Sequence, residues 1–185
     1  MKIGTRRGLG RSLEYDWLPM TDENPCQFLE FYSIDVKLKY IPTDEEIVSI
    51  RSKLNSNQAF LFDFVDQTAC RIMEAIRFKA EDMDGNLITL WTRKSKNSNL
   101  TPRRIPKPDC LTGFTGKGKV FKDWESYPRF LGDLTDNWNW HNLRHRRASI
   151  WANNGLTTFE IMVRLGHSNL STTMKYLQLL GFTRL

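Results

Sequence analysis

The chain has 185 residues, with 27 Lys and Arg against 21 Asp and Glu and a formal net charge of +6. Hydrophobic residues make up 40% and aromatic residues 12%, which is enough for an ordinary core and excludes disorder over most of the chain. No apolar run approaches the roughly 18 residues of a membrane span, and the first residues lack the apolar core of a signal peptide. Cys26, Cys70 and Cys110 lie too far apart for a CxxC metal site, and this usage is typical of a cytoplasmic protein.

The basic charge is concentrated in the second half of the chain. Residues 91–185 carry sixteen basic and six acidic side chains, whereas residues 41–90 carry five basic and nine acidic ones. A strongly basic half indicates a polyanionic partner, with nucleic acid favoured over a membrane surface.

Residues 1–40 differ from the rest of the chain. They begin with a Gly- and Arg-rich segment, Asn24-Pro25 is typical of the end of an element, and residues 33–40 indicate an extended linker. We therefore predict a domain boundary near residue 40, with one compact domain over residues 41–185.

Local signals predict helices, then strands, after Pro42. Thr43 and Glu46 form a capping box, which predicts a helix to about residue 54. Two more helices are predicted over residues 58–68 and 71–78. The turn Asp84-Gly85-Asn86 precedes β-rich segments at 87–91 and 100–105, which predicts a hairpin or a three-stranded meander. One short helix is predicted near residues 127–134.

Three helices are predicted at the end of the chain. The first covers residues 141–153 and ends at Gly155. The second opens with a capping box, Thr157 and Glu160, closes at Gly166 and turns four apolar side chains inward: Phe159, Ile161, Met162 and Leu165. Ser171 is predicted to cap the last helix, over residues 172–180. The predicted fold class is α+β, mostly α-helical with a small antiparallel β-sheet.

Several reactive side chains recur in these elements. His141 and Arg144 share a helix face, His167 follows a helix end, and Tyr176 comes nine residues later. Each side chain alone has an ordinary structural interpretation, such as a cap, a surface ion pair or a packing residue. Their combination is what indicates chemistry.

The segment HNLRHRRASIWANNGLTTFEIMVRLGHSNLSTTMKY resembles the box that defines tyrosine recombinases, the phage integrase family. ACRIMEAIRFKAEDMD resembles the family's upstream box, with Arg71 in the place of its first arginine and Glu74 as the acidic residue that follows. LITLWTRKSKNSNLTPRRIP is similar to the family's β2–β3 turn, where either Lys94 or Lys96 takes the place of the catalytic lysine, and we favour Lys94.

The resemblance implies the tyrosine recombinase catalytic-domain fold and a site-specific recombinase or integrase. In that reaction Tyr176 attacks a phosphodiester and forms a 3′-phosphotyrosyl bond, while Arg71 and Arg144 stabilise the pentacoordinate phosphate. A lysine protonates the leaving 5′ oxygen, His141 accepts or relays the tyrosine proton, and His167 hydrogen-bonds the phosphate. Neither a cofactor nor a metal ion is needed.

The implied partner is double-stranded DNA with a specific attachment site, bound by a homo-oligomer, a tetramer, with a monomer expected for the free chain. We expect no membrane partner. The expected DNA contacts are basic side chains near the catalytic positions: Lys96, Arg103, Arg104, His145 and Arg146.

Two other functions share these features. A non-catalytic DNA-binding module would keep the basic surface, but the full set of reactive side chains counts against a decayed enzyme. A type IB topoisomerase uses the same chemistry, but the short LGHSNLSTTMKY arrangement favours a recombinase. The chain departs from the family at Thr68-Ala69-Cys70, where many members have Thr-Gly, and we interpret this as tolerated packing variation. The segment between Ile105 and His141 is short, which predicts that one surface helix is missing.

Overall fold

The computed structural model describes residues 37–93 and 99–182. In these residues, six α-helices and one three-stranded antiparallel sheet are joined by two short 3-10 helices. This is the predicted fold class. No helix in the described ranges is long and apolar enough to cross a membrane.

The first three helices form where capping side chains satisfy the free backbone N–H groups of their first turns. α1 (Asp44–Arg51) begins with the predicted capping box of Thr43 and Glu46. α2 (Ser56–Thr68) begins earlier than predicted because Asn55 and Gln58 form a second capping box. α3 (Ile72–Arg77) follows after a sharp bend of the chain.

The sheet is a meander in the order β1-β2-β3. β1 (Met83–Asp84) and β2 (Leu87–Arg93) are joined by the predicted turn, where Gly85 has φ +57°, and β2 pairs with β3 (Leu100–Pro106). One face of the sheet is buried, and it carries two polar side chains, Thr92 and Arg103, beside the apolar ones. Arg103 also donates to the carbonyl of Arg164, which lies in the last third of the chain.

The predicted helix near residues 127–134 is wrong. That stretch is extended and then turns, and the only helical piece between Pro106 and Trp140 in this described segment is a 3-10 helix, Asp109–Leu111. The conformation is set by tertiary contacts, because Leu131 is buried in the core and the Pro128 carbonyl accepts the Trp140 indole N–H at 2.9 Å.

The last three helices are α4 (Trp140–Asn153), α5 (Thr158–Leu165) and α6 (Leu170–Leu179). α5 has the predicted capping box and the predicted left-handed end at Gly166. Asn169, and not Ser171, caps α6, because its side chain accepts the Ser171 N–H at 2.9 Å. Phe159 was predicted to point inward but is 62% exposed, since it lies on the opposite face of α5 from Ile161.

Two apolar clusters make up the core. The larger one joins α1, α2, α3 and the sheet to Leu143 at the start of α4. The smaller one joins the rest of α4 to α5 and α6 through Ala148, Ile161 and Leu177. Arg144 and His145 lie on α4 between Leu143, which belongs to the larger cluster, and Ala148, which belongs to the smaller one.

Candidate active site

Arg144 is the largest fully buried side chain of the described residues, with 1% exposure. Its guanidinium donates to the carbonyl of Ala69, just after α2, at 2.7 Å and to the carbonyl of Leu165, the last residue of α5, at 2.6 Å. Burial first, and the charge of Arg71 second, lower its pKa to about 10, so it stays charged at neutral pH. The fold therefore holds the charged Arg144 guanidinium in a fixed orientation.

His167 lies beside that charge. Its Nε2 is 3.3 Å from Arg144 Nη2, and its Nδ1 is 2.9 Å from the Thr173 hydroxyl of α6. Burial and the charges of Arg144 and Arg71 lower its pKa to about 4, which makes the ring neutral at pH 7. The left-handed backbone of Gly166, φ +68°, turns the chain so that His167 points at α4.

Tyr176 faces the same group of side chains. Its ring lies 5.5 Å from that of His167 and 5.2 Å from that of His145, centroid to centroid. Its hydroxyl is 2.6 Å from His145 Nδ1. Burial raises the pKa of Tyr176 to about 12, although the charge of Arg144 opposes this, so the phenol is protonated in the DNA-free protein.

His141 is exposed and does not contact Tyr176. Its ring packs edge-on against that of His145, with centroids 4.8 Å apart. Its pKa is lowered by burial against neighbouring atoms and by the charges of Arg144 and Arg71. The pairing at positions i and i+4 of α4 places both histidines on the face that carries the site.

Arg71 supplies the second guanidinium. It precedes α3, its side chain is 41% exposed, and it pairs with Glu74 at 3.1 Å. Its charge lowers the pKa of Arg144, of His141 and of His167, which is consistent with a position on the same side of the site. Five of the six predicted catalytic residues thus lie in the described chain and face one region. Lys94, the sixth, and Lys96 lie outside the described residues.

Glu74 is the centre of a buried hydrogen-bond network. Of its members, the sequence analysis placed only Arg71 and Glu74 together. Its carboxylate accepts the Arg71 backbone N–H at 3.0 Å, the Thr92 hydroxyl at 2.8 Å and Arg103 Nη2 at 2.6 Å. Burial raises the pKa of Glu74, but the hydrogen bond and charge of Arg103 outweigh it and lower the pKa to about 2. The carboxylate is therefore ionised and fixes Arg71 at its backbone and its side chain.

Arg103 was predicted to contact DNA, and the structure places it inside the protein. It is 8% exposed, hydrogen-bonds Thr92 and Glu74, and donates through Nε to the Arg164 carbonyl at 3.0 Å. β3 alternates faces, and Arg103 occupies an inward position of that strand. This arginine joins the sheet to the end of α5, where His167 follows.

The other predicted DNA contacts have different surroundings. Arg104 is exposed, with a side-chain exposure of 62% and a 3.4 Å ion pair to Asp84. Arg146 is 13% exposed and pairs with Asp44 and Asp66, so it joins α4 to α1 and α2 and is not free to reach DNA. His145 is buried against Tyr176.

Ala69, at the departure from the family pattern, has a backbone conformation that favours glycine. It has φ +53°, it is fully buried, and it ends α2 in the left-handed region that favours glycine. The change from glycine is thus a matter of backbone strain as well as packing. The strained residue is the one whose carbonyl accepts Arg144, so it contributes to the position of that guanidinium.

The sequence analysis missed Thr173 and Thr92 and assigned His145 to DNA contact, because the partner of each lies outside its own helix or strand. Thr173 meets His167, Thr92 meets Glu74, and His145 meets Tyr176, 31 positions away. The one available signal was the spacing of His145, which is i+4 from His141. No group of three His, Cys, Asp or Glu side chains that could hold a metal ion occurs in residues 37–93 and 99–182.

The fold is that of tyrosine recombinase catalytic domains. The catalytic domain of bacteriophage HP1 integrase shares it with a TM-score of 0.59 and 20% identity, over 78% of this chain and 89% of that chain. XerA recombinase has a TM-score of 0.57 and 19% identity, over 75% and 60% of the two chains. The Tn1549 transposon integrase in complex with transposon right end DNA has a TM-score of 0.57 and 16% identity, over 77% and 62%.

Residues 117–181 match the model of the phage integrase family. The integrase of Escherichia phage P2 is 28% identical over 144 residues, a match that covers 72% of this chain and 41% of that integrase. The chain therefore spans about two fifths of the length of this curated relative. These findings confirm the resemblance: residues 117–181 match the phage integrase family model, in a chain with the tyrosine recombinase catalytic-domain fold.

Proposed function

We propose that this chain is the DNA-cleaving part of a site-specific recombinase. It breaks and rejoins DNA strands through a 3′-phosphotyrosyl bond to Tyr176. The observation that carries the proposal is the meeting of the Tyr176 phenol with Arg144 and His167, side chains from α6, α4 and the turn between α5 and α6. Family likeness and the basic second half of the chain support it.

The arrangement suits the chemistry of phosphodiester cleavage. Arg144 is fixed by two carbonyl groups and Arg71 by Glu74, so both guanidiniums are held before substrate arrives. Arginine binds phosphate oxygens bidentately and stays charged, which is what a transition state with extra negative charge requires. His167, held by Thr173, offers its second ring nitrogen toward the same phosphate.

The reaction proceeds in two balanced transfers. Tyr176 Oη gives its proton to a neighbouring base as it forms a bond to phosphorus, and the bond to the 5′ oxygen breaks, with its electron pair going to that oxygen. The leaving oxygen takes a proton, for which Lys94 or Lys96 is the predicted donor. Because the phosphotyrosyl link keeps the bond energy, the 5′-hydroxyl of another strand can attack it and restore a phosphodiester without ATP.

Double-stranded DNA with a specific site is the proposed partner. The Tn1549 integrase was solved with transposon right end DNA, and the DNA of this chain is proposed by that likeness of fold. A tetramer on DNA, a monomeric free chain and a cytoplasmic location also remain predictions from the sequence.

The proposal is tested with suicide DNA. The probe is a pool of duplex oligonucleotides with a randomised centre, each nicked in one strand so that the short 5′-hydroxyl fragment dissociates after cleavage. We expect an SDS-stable protein–DNA adduct that is lost in Tyr176→Phe, which removes one oxygen and keeps the ring.

DNA binding, measured by gel shift on the same pool, should be equal for the parent chain and Tyr176→Phe. An adduct that survives Tyr176→Phe would show that another residue is the nucleophile. Binding without any adduct in the parent chain would favour the non-catalytic DNA-binding module and contradict the proposed enzyme.

A further inference from the structure

The hydroxyl of the nucleophile meets one side chain that the family likeness assigns no role in catalysis. His145 Nδ1 is 2.6 Å from Tyr176 Oη, whereas His141, the residue that the resemblance casts as proton acceptor, is exposed. Among the described residues, the His141 ring makes no side-chain hydrogen bond, and its neighbour is the ring of His145. Of the two histidines of α4, His145 is therefore the one within hydrogen-bond distance of the Tyr176 hydroxyl.

The ionisation of its two partners allows this hydrogen bond to run from the phenol to the ring. Burial raises the pKa of Tyr176 to about 12, so the phenol keeps its proton. Burial, together with nearby positive groups, lowers the pKa of His145 to about 4, so the ring is neutral. A neutral ring whose own hydrogen is on Nε2 can accept the phenol hydrogen through Nδ1, and this is the arrangement that proton transfer from Tyr176 requires.

Bound DNA would change the electrostatic field around the His145 ring. The groups that lower its pKa are His141 and Arg144 from its own helix and Lys39 from the segment before α1, while α6 presents the Tyr176 hydroxyl. A bound phosphodiester carries a negative charge next to Arg144 and offsets that positive field. The proton affinity of His145 therefore rises when DNA is in place, which is when the phenol must lose its proton.

We propose that His145 Nδ1 is the group that takes the proton of Tyr176 Oη during attack on the phosphate, which makes His145 a catalytic residue. The O–H bond breaks as the Oη–P bond forms, and the proton moves to Nδ1. In the rejoining step the imidazolium returns that proton to the departing phenol oxygen. This inference rests on the proposed function and adds to it the identity of the proton acceptor.

A matched pair of variants on α4 tests the assignment. His145→Asn keeps an acceptor oxygen at about the place of Nδ1, but the amide cannot take up a proton, and His141→Asn makes the same change one turn away. The readout is the single-turnover rate of adduct formation on the suicide DNA selected with the parent chain. We expect a loss of about 100-fold or more for His145→Asn, the size of a general base contribution, and a loss of less than tenfold for His141→Asn.

Binding of the same DNA and the thermal midpoint of the free protein should be alike in the two variants. Equal adduct rates for His145→Asn and the parent, or a larger loss in His141→Asn, would overturn the proposal while leaving the recombinase intact. A parent chain without adduct would instead contradict the proposed function itself, and the assignment with it.

A second measurement does not depend on any variant. The ¹⁵N chemical shifts of His145 in the unaltered chain distinguish a ring nitrogen that carries hydrogen from one that accepts. We expect Nδ1 to be the acceptor at pH 7, with the hydrogen on Nε2. Hydrogen on Nδ1 would overturn the proposal even if His145→Asn failed to fold.

Discussion

Glu74 shows how one buried carboxylate fixes the catalytic geometry. It is 2% exposed and its partners come from α3, β2 and β3. Breaking a buried ion pair by removing one charge typically costs about 3–5 kcal/mol. Glu74→Gln keeps the shape of the side chain, so we expect it to destabilise the fold by about 3 kcal/mol, measured by urea unfolding at pH 7.

The cost of Glu74→Gln should depend on pH in a defined window. The pKa of Glu74 is lowered to about 2 in the folded protein, so its stabilising contribution is present above the ordinary value of 4.5 and is lost as pH falls toward 2. The difference between parent and variant should therefore shrink below pH 4.5. A difference that is constant from pH 7 to pH 3 would contradict the ionised network.

The chemical residues were the part of the site that sequence could predict. His141, Arg144, His167 and Tyr176 lie within one short stretch whose order is itself the signal, and they face one region of the structure. Arg103 carried no such signal, because its partners lie on other elements, and for His145 the signal was only its place at i+4 from His141. A basic side chain on a strand has the same sequence appearance whether it faces solvent or a buried carboxylate, and that choice depends on strand register.

The turn after α5 is the element that joins the sheet to the catalytic helices. Gly166 has φ +68°, and a Cβ there would lie 2.9 Å from Arg103 Cδ and 3.1 Å from Arg103 Nη1. Arg103 cannot move aside freely, because Glu74, Thr92 and the Arg164 carbonyl hold it. The close approach therefore requires glycine for two reasons, backbone conformation and space.

Gly166→Ala should destabilise the protein more than its matched control. Gly155→Ala has a similar φ of +81°, but nothing lies within 4 Å of a Cβ at that position. We expect about 1 kcal/mol for Gly155→Ala, the strain of a left-handed alanine, and at least about 1 kcal/mol more for Gly166→Ala, the usual cost of overpacking. Adduct formation should fall only in Gly166→Ala, because Gly166 positions His167.

Chemical denaturation of the two variants, together with the adduct assay, checks this. Equal losses of stability would show that Arg103 does not press against the turn.

The starts of helices with capping boxes were predicted correctly, whereas tertiary contacts determine the backbone of the segments that were predicted wrongly. The starts of α1 and α5 were correct because two side chains and two backbone groups three positions apart define them. The prediction for residues 127–134 failed because the buried Leu131 and the bond from Trp140 to the Pro128 carbonyl determine the backbone there. α6 was found, but its cap was assigned to Ser171 because serine and asparagine are equally common caps.

The basic second half of the chain is only partly available to DNA. Residues 91–185 contain sixteen basic side chains, but Arg103, Arg144 and Arg146 are used inside the protein. Sequence could predict the excess of charge and its sign. The sequence could not predict which arginines form ion pairs inside the protein, because that depends on where the fold places Asp66 and Glu74.

DNA binding should separate the two kinds of arginine. Binding that depends on phosphate contacts weakens linearly in a plot of log K against log salt, by a slope of about 0.9 per contact. We expect Arg104→Ala, which removes an exposed charge, to reduce that slope by about 1 without loss of stability. Arg146→Ala should leave the slope unchanged and lower the midpoint of thermal unfolding, as shown by fluorescence anisotropy and melting curves.

The reverse pattern, with an altered slope in Arg146→Ala alone, would show that the ion pairs to Asp44 and Asp66 open on DNA.

Mass spectrometry of the trapped adduct examines the proposed chemistry directly. The adduct on suicide DNA is digested with nuclease and protease, and the peptide that still carries a nucleotide is sequenced. We expect a 3′-phosphonucleotide on Tyr176 and on no other residue. A nucleotide attached to a different side chain, or joined through its 5′ phosphate, would contradict the mechanism derived from this site.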